Sequence, residues 1–151
     1  MGLRGIANGV VTFKDVKVPA ENLVGKTGEG LKIALATLNV GRLGIPAAAV
    51  GGGMALVDDA RWWTSTRQQW GQPVGKHQAV AKLVGSYMAQ LFAMKAMVNV
   101  ACAFADRKSA DIRLEAAAAK YWCSETLWSM YDEYLQVRGG RGYERATSLY
   151  A

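Results

Sequence analysis

The chain has 151 residues, of which 51% are hydrophobic and 20% charged, and its formal net charge is +6. This apolar fraction excludes an intrinsically disordered chain, and the length is sufficient for one domain with a hydrophobic core. The basic residues are scattered, with no run longer than Arg107-Lys108, which is typical of solvated surface and not of a nucleic-acid interface. One histidine and two separated cysteines predict no metal site.

The sequence also bears on the compartment. It shows no charged-then-apolar leader and no uninterrupted apolar run of about 18 residues. Cys102 and Cys123 have apolar neighbours and are expected to be reduced core thiols. We therefore expect a soluble, cytoplasmic protein without a membrane span.

Residues 1–27 differ in pattern from the rest of the chain. Val10–Phe13 and Val16–Val18 are short runs rich in β-branched and aromatic residues, and Pro19 closes the second run. The later sequence offers no partner strands, and a lone strand or hairpin is not stable by itself. The segment is predicted to be either an arm that packs on helices or the tail of a sheet domain outside this chain.

Three long segments with apolar residues at spacings of three and four follow, and they predict helices over about 28–67, 77–107 and 110–138. Pro46 inside the first helix predicts a kink. Gly51-Gly52-Gly53 lowers helix propensity by about 2–3 kcal/mol in total, which is acceptable where another helix packs against the backbone. Gly139-Gly140 ends the third helix.

These helices with short connections predict an all-α fold, an up-down bundle of three long antiparallel helices with a short N-terminal β segment. Apolar faces of this width and length require a fourth helix. We therefore expect an incomplete four-helix bundle, and either a homo-oligomer or a longer chain supplies the missing surface.

The turn-forming block between the first two helices is the strongest candidate for a binding site. Gly71, Pro73 and Gly75 break the helix in succession, so the chain reverses there. A guanidinium, an amide and a large aromatic at a helix end suit an anionic, flat-ringed molecule, and Arg67, Gln69 and Trp70 supply these three groups. The alternative interpretation is structural, with Arg67 capping helix carbonyls and Trp70 filling a core corner.

The sequence predicts no catalytic residue in this chain. His77, the only imidazole, stands where it can begin a helix and has no carboxylate neighbour in the sequence. The pairs Asp58-Asp59 and Asp132-Glu133 are adjacent in sequence, so their members point to different helix faces and make poor acid/base couples. Solvated surface is the predicted role of both pairs.

Three blocks of the sequence occur in the order and with the spacing of one known family. They are Val11-Thr-Phe-Lys-Asp-Val-Lys-Val-Pro-Ala-Glu-Asn-Leu-Val-Gly25 followed by Gly28-Glu-Gly30, Arg67-Gln-Gln-Trp-Gly-Gln-Pro-Val-Gly-Lys-His-Gln78 and Leu135-Gln-Val-Arg-Gly-Gly-Arg-Gly-Tyr143. Together they make nearly the whole chain similar to the C-terminal helical domain of the acyl-CoA dehydrogenases. The resemblance implies a remnant of the middle β-domain and linker at 1–27, a helical bundle at 28–143 and a truncated segment at 144–151.

The resemblance also implies a cofactor, a substrate and an oligomer. Members of this family are dimeric or tetrameric flavoenzymes that introduce a double bond into acyl-CoA thioesters with FAD as the hydride acceptor. The residues at the family's FAD-contacting positions are Arg67, Gln69, Trp70, Gln136, Gly139 and Gly140, and Arg42 matches an arginine near the CoA-binding cleft. Some members carry the catalytic glutamate directly before that arginine, where this chain has Gly41. The other family location lies beyond this chain, so the chain alone is expected to be inactive.

Other functions stay open at this point. The chain could be a helical assembly module whose Arg67 and Gly139-Gly140 are only structural. A basic nucleic-acid binder would instead show steeply salt-dependent binding with no preference for flavin. A protein with this fold could also perform a related flavin reaction on a different thioester or on a nitroalkane.

Overall fold

A computed structural model describes residues 5–107 and 111–144, except for the side chain of Val40. The chain divides into two compact units, residues 1–34 and 35–151. The described part of residues 1–27 contains one 3₁₀ turn, Ala20–Asn22, and no β-strand. The strands predicted at Val10–Phe13 and Val16–Val18 are therefore not observed there. The physical reason is that a strand needs a partner for its backbone hydrogen bonds.

The described residues form four helices. They are α1 (Gly30–Thr66), α2 (Gln78–Asp106), α3 (Arg113–Arg138) and the one-turn α4 (Gly140–Tyr143). The three long helices begin and end within a few residues of their predicted limits. Pro46 lies inside α1 and its side chain is fully buried, whereas the kink expected there stays a prediction.

Contacts between the helices define their directions. The Tyr131 hydroxyl of α3 donates a hydrogen bond to Gly52 O of α1. Further along both helices, Trp63 Nε1 of α1 donates to Val137 O of α3. Both helices therefore run the same way, because residue numbers rise together. Val100, near the end of α2, and Leu114, near the beginning of α3, line one pocket. The end of α2 therefore lies beside the beginning of α3. The three long helices therefore form an up-down-up bundle, as predicted.

The core lies where the three long helices meet. Its buried members are Ala49, Leu56, Val57, Ala60, Tyr87, Met94, Val98, Cys123, Met130 and Tyr134. The predicted close approach at the glycine triplet is confirmed by Gly52 and Gly53. A β-carbon on Gly52 would lie 3.1 Å from Leu127 Cδ2, and one on Gly53 would lie 3.1 Å from Leu91 Cδ1. Neighbouring helices therefore pack against the α1 backbone, which no larger residue would allow without displacement.

Large apolar side chains also remain on the outside of the second unit. They include Ile45, Met54, Trp62, Met88, Phe92, Val100, Leu114, Tyr121 and Trp128, all at least 46% exposed. The three long helices therefore leave part of their apolar faces uncovered by the described residues.

Two of the described helices are apolar over a long stretch. α1 and α2 each contain an 18-residue window that is apolar enough to cross a membrane, with mean hydropathies of 1.5 and 1.4. The criterion uses length and composition only, and the core helices of soluble proteins also meet it. The expectation that the protein has no membrane span therefore stays a prediction.

Helix α3 begins beside an ion pair. Asp111 Oδ1 accepts the Arg113 backbone N–H at 3.1 Å, and Asp111 Oδ2 lies 2.6 Å from Arg113 Nη2. Hydrogen bonds from the Arg113 side chain, and then from its backbone, hold the pKa of the Asp111 carboxyl at about 2, below its usual 3.8. The ionised carboxylate thus marks the start of the helix.

We expect the Asp111 carboxyl to stay ionised at pH 3. Because its pKa is lower in the folded chain than in the unfolded one, the ionised form and its bonds to Arg113 persist above about pH 4 and are lost as the pH falls toward 2; since the pair is exposed, its effect on stability is small. The ¹³C chemical shift of the Asp111 carboxyl reports this titration directly. Arg113→Gln should return the midpoint to the usual range, and a midpoint near 4 in the unmodified chain would contradict the prediction.

Candidate functional site

The connection between α1 and α2 is a small hairpin. Arg67 N–H donates to Trp63 O at 2.9 Å and so continues the last turn of α1, and Val74 N–H donates to Arg67 O at 2.8 Å. Between these bonds, β1 (Gln68–Gln69) pairs antiparallel with β2 (Gln72–Pro73). The chain reversal predicted for this block is confirmed, whereas its two-stranded pairing was not predicted.

The tip of the hairpin has an unusual backbone. Trp70 and Gly71 both have positive φ angles, 51° and 78°, as a two-residue type I′ turn requires. Glycine adopts this conformation easily, whereas a bulky residue does so at a cost. Trp70 is also 82% exposed, so little burial compensates for the strained backbone.

His77 holds the hairpin from the side. Its Nε2 lies 3.2 Å from Gln69 O, and its Nδ1 lies 3.2 Å from Gln72 Nε2. A carbonyl oxygen only accepts and an amide nitrogen only donates, so the neutral ring with the proton on Nε2 satisfies both bonds. The Trp70 and His77 rings also form a T-shaped pair, with centroids 5.3 Å apart. The histidine therefore has a structural role in this chain.

A cleft of about 450 Å³ lies between this hairpin junction and the end of α3. Its lining residues are Trp63, Arg67, Gln69, Val74, Val137, Arg138, Gly139, Gly140, Arg141 and Glu144. Of its three arginines, Arg138 pairs with Asp59 and Arg141 pairs with Glu144, so the excess positive charge of the lining comes from Arg67. The fold thus brings together Arg67 and Gln69 with Gly139 and Gly140, four of the six predicted cofactor-binding residues.

The glycine side of the cleft is open. Gly139 has φ 58° and ψ −138° and its N–H donates to Gln136 O at 3.0 Å, which ends α3. A β-carbon added to Gly139 or Gly140 would meet nothing within 4 Å. The space above the backbone of these two residues is therefore open, whereas their contact with a cofactor stays a prediction.

The other predicted residues lie outside this cleft. Gln136 lines an adjoining pocket together with Gly139 and Tyr143. Trp70 stands at the tip of the hairpin and does not line the cleft. Arg42 lies about 36 Å from the end of α1, at 1.5 Å per residue, and its Nη1 donates to Asn39 Oδ1 at 3.0 Å. Any role of Arg42 is therefore separate from the cleft.

The cleft lining also contains a buried charge that was not predicted from the sequence, Arg138. Arg138 is 8% exposed, and its Nη1 donates to Asp59 Oδ2 at 2.6 Å. The Tyr134 hydroxyl donates to the same oxygen at 2.6 Å, and burial, followed by this bond, raises the pKa of Tyr134. The guanidinium lies 5.0 Å from the centre of the Trp63 ring. Arg138 Nε is buried and has no hydrogen-bond partner among the described residues.

This arrangement corrects the prediction that Asp58-Asp59 is only solvated surface. Asp58 is exposed as predicted, but Asp59 faces α3 and binds Tyr134 and Arg138. The signal was present in the sequence, because Asp59 and Trp63 on one helix, and Tyr134 and Arg138 on the other, are each four residues apart. Residues with that spacing share one helix face.

Comparison with known proteins identifies the family. Residues 28–151 match the family described as "Acyl-CoA dehydrogenase, C-terminal domain". Since this match extends over most of the chain, the protein belongs to the acyl-CoA dehydrogenase family. The predicted fold and family are therefore confirmed.

Individual relatives agree with this assignment. The whole chain is 52% identical to a probable acyl-CoA dehydrogenase, FadE10, of Mycobacterium tuberculosis, and it covers 23% of that relative. It is 34% identical over 143 residues to the caffeyl-CoA reductase-Etf complex subunit CarC of Acetobacterium woodii, covering 95% of this chain and 38% of the relative. The chain thus spans less than half the length of either protein.

A solved structure shows the same architecture. Butyryl-CoA dehydrogenase from Megasphaera elsdenii superposes with a TM-score of 0.82 at 36% sequence identity. The superposition covers 87% of this chain and 34% of the butyryl-CoA dehydrogenase chain. The helical bundle described above is therefore the shared part.

Proposed function

We propose that this chain is the C-terminal FAD-binding and oligomerisation domain of a flavin-dependent acyl-CoA dehydrogenase, an oxidoreductase that introduces an α,β double bond into acyl-CoA thioesters. The observation that carries the proposal is the cleft that joins Arg67 and Gln69 to Gly139 and Gly140. Membership of the family supports it, since the chain matches a part of those enzymes.

The cleft fits the pyrophosphate of FAD chemically. A pyrophosphate needs positive charge and backbone groups that it can approach closely. Arg67 is exposed in the cleft, and Gly139 and Gly140 leave the space above their backbone open. Trp70 and Gln136, just beyond the cleft, are proposed to contact the adjoining parts of the same cofactor, which belongs to a neighbouring subunit. When bound, FAD supplies the hydride acceptor.

We propose that the acyl-CoA substrate and the reacting groups are bound in a longer protein of which this chain is a part. Arg42 is proposed to bind the acyl-CoA there, on α1 and far from the FAD cleft. Position 41 is Gly41, which has no side chain that could remove a proton. We propose that residues 1–27 are a remnant of the middle β-domain and linker, 28–143 the bundle and 144–151 a truncated segment. This chain alone is proposed to be inactive toward acyl-CoA.

The partner that we propose for this domain is a second copy of itself, as a dimer or tetramer. The apolar side chains left exposed on the second unit support this, because burying them stabilises association. We also propose that the protein is cytoplasmic and that it binds neither nucleic acid nor membranes. The same exposed surface also favours the alternative, a helical assembly module without a cofactor.

Titration with FAD tests the proposal. Arg67→Ala removes a charge-assisted contact worth about 1.5–3 kcal/mol and should weaken FAD binding roughly tenfold to a hundredfold. Gly140→Val should weaken it as well, because its side chain would fill the open space above the backbone. Helix content by circular dichroism should change little in either variant. Flavin fluorescence measures the dissociation constant.

Arg61→Ala is the matched control, since Arg61 is exposed on α1 and does not line the cleft. The proposal is wrong if Arg67→Ala and Arg61→Ala bind FAD equally well. Absence of FAD binding by the unmodified chain, together with oligomers in light scattering, would instead support the assembly module.

A further inference from the structure

The cleft has two walls that come from different helices. One wall contains Arg67, which follows α1, and the other contains Gly139 and Gly140, which follow α3. A diphosphate that touches both walls binds well only if their separation is fixed before it arrives. Side-chain contacts between the ends of α1 and α3, next to the cleft, are therefore needed to fix this separation.

Four side chains make that connection over one turn of each helix. Asp59 Oδ2 of α1 accepts hydrogen bonds from Tyr134 and Arg138 of α3, both at 2.6 Å. Trp63, one turn later on α1, donates from Nε1 to Val137 O at 3.4 Å. The contacts end at the residue directly before Gly139, and Arg67 follows Trp63 by one helical turn.

The burial of this connection makes it rigid. The Arg138 side chain is 7% exposed and the Asp59 side chain 29%, so little water competes for their hydrogen bonds. The Arg138 guanidinium also lies over the Trp63 ring, 5.0 Å from its centre. A planar guanidinium held by a carboxylate on one side and an indole face on another has few alternative positions.

We propose that the Asp59–Arg138 ion pair is a positioning element of the cleft, which sets the distance between Arg67 and the Gly139-Gly140 backbone for an ADP-like diphosphate. The inference rests on the proposed function. Arg138 acts through the backbone that follows it, since its positive charge is balanced by Asp59. Direct binding of the diphosphate by Arg138 is the competing explanation.

The effect of Asp59→Asn separates these two explanations. If Arg138 bound the diphosphate directly, removing the carboxylate that balances its charge would leave ADP binding unchanged or make it tighter. If the pair positions the two walls, Asp59→Asn weakens ADP binding, because the bonds from Tyr134 and Arg138 lose the carboxylate charge that strengthens them. Arg138→Gln should weaken it in the same direction and by a similar factor.

The experiment is an isothermal titration of the chain with ADP. We expect Asp59→Asn and Arg138→Gln each to weaken ADP binding about tenfold. The double variant should be no weaker than either single variant, because both substitutions break the same interaction. Arg138→Lys should recover part of the affinity. Titrations are made at a temperature where circular dichroism shows every variant folded, so loss of stability alone does not change the result.

Arg113→Gln is the matched control, because it breaks the exposed Asp111–Arg113 ion pair of the same length, 2.6 Å, elsewhere in the chain. It should bind ADP like the unmodified chain. Unchanged or tighter binding by Asp59→Asn overturns the positioning role and leaves the proposed function intact. Absence of ADP and FAD binding by the unmodified chain overturns both.

Discussion

Replacing Leu56 with alanine should lower the free energy of unfolding by about 2–5 kcal/mol. Leu56 is fully buried in the core cluster between α1 and its neighbours. Shortening it removes apolar contacts and leaves a cavity that the long helices cannot close without moving along their whole length. Chemical denaturation followed by circular dichroism measures the change.

Leu114→Ala provides the matched control, since the same atoms are removed from a side chain that is 78% exposed. Its effect should stay below about 1 kcal/mol. Equal losses in the two variants would show that Leu56 does not belong to a close-packed core.

Replacing Gly142 with alanine should displace α4 and lower the free energy of unfolding by about 1–3 kcal/mol. A β-carbon on Gly142 would lie 2.6 Å from Leu135 O and 3.3 Å from Leu135 Cα. Both atoms belong to the backbone of α3, so no side-chain rotation relieves the overlap. The movement also carries Arg141 away from the cleft, so we expect FAD binding to weaken as well.

Gly140→Ala serves as the comparison, because a β-carbon there meets nothing within 4 Å and the φ angle is not positive. Denaturant unfolding of the two variants should therefore differ clearly. Unfolding of Gly142→Ala at the same denaturant concentration as Gly140→Ala would show that α4 does not pack tightly against the Leu135 backbone.

The long helices could be predicted because their signal is repeated many times. Apolar residues at spacings of three and four recur along each helix, and glycine or proline interrupts the pattern where a helix ends. Even the contact at Gly52 and Gly53 could be predicted, since glycines in a long helix require a packing reason. The N-terminal strands could not be predicted reliably, because a strand depends on a partner that local residues do not specify.

The candidate site was predicted only in part. Turn-forming residues and the resemblance to the family identified Arg67, Gln69, Gly139 and Gly140, which the fold brings to one cleft. The Asp59–Arg138 pair was not found, because such a contact depends on how two distant helices face each other. The sequence predicts that Asp58 and Asp59 point to different helix faces, but it does not show which of them faces another helix. Pairs spaced four residues apart on each helix were the informative pattern.

At the hairpin tip, an unstrained backbone and an exposed aromatic ring require different residues. Trp70 holds a left-handed backbone, which costs a bulky residue roughly 1–3 kcal/mol, and its indole is 82% exposed. Glycine or asparagine at position 70 would form the same turn with less strain. Either substitution should therefore stabilise the hairpin, whereas it would remove the aromatic ring that we propose contacts FAD. Under the proposed function, Trp70 lowers the stability of the hairpin and supplies an aromatic ring for the cofactor.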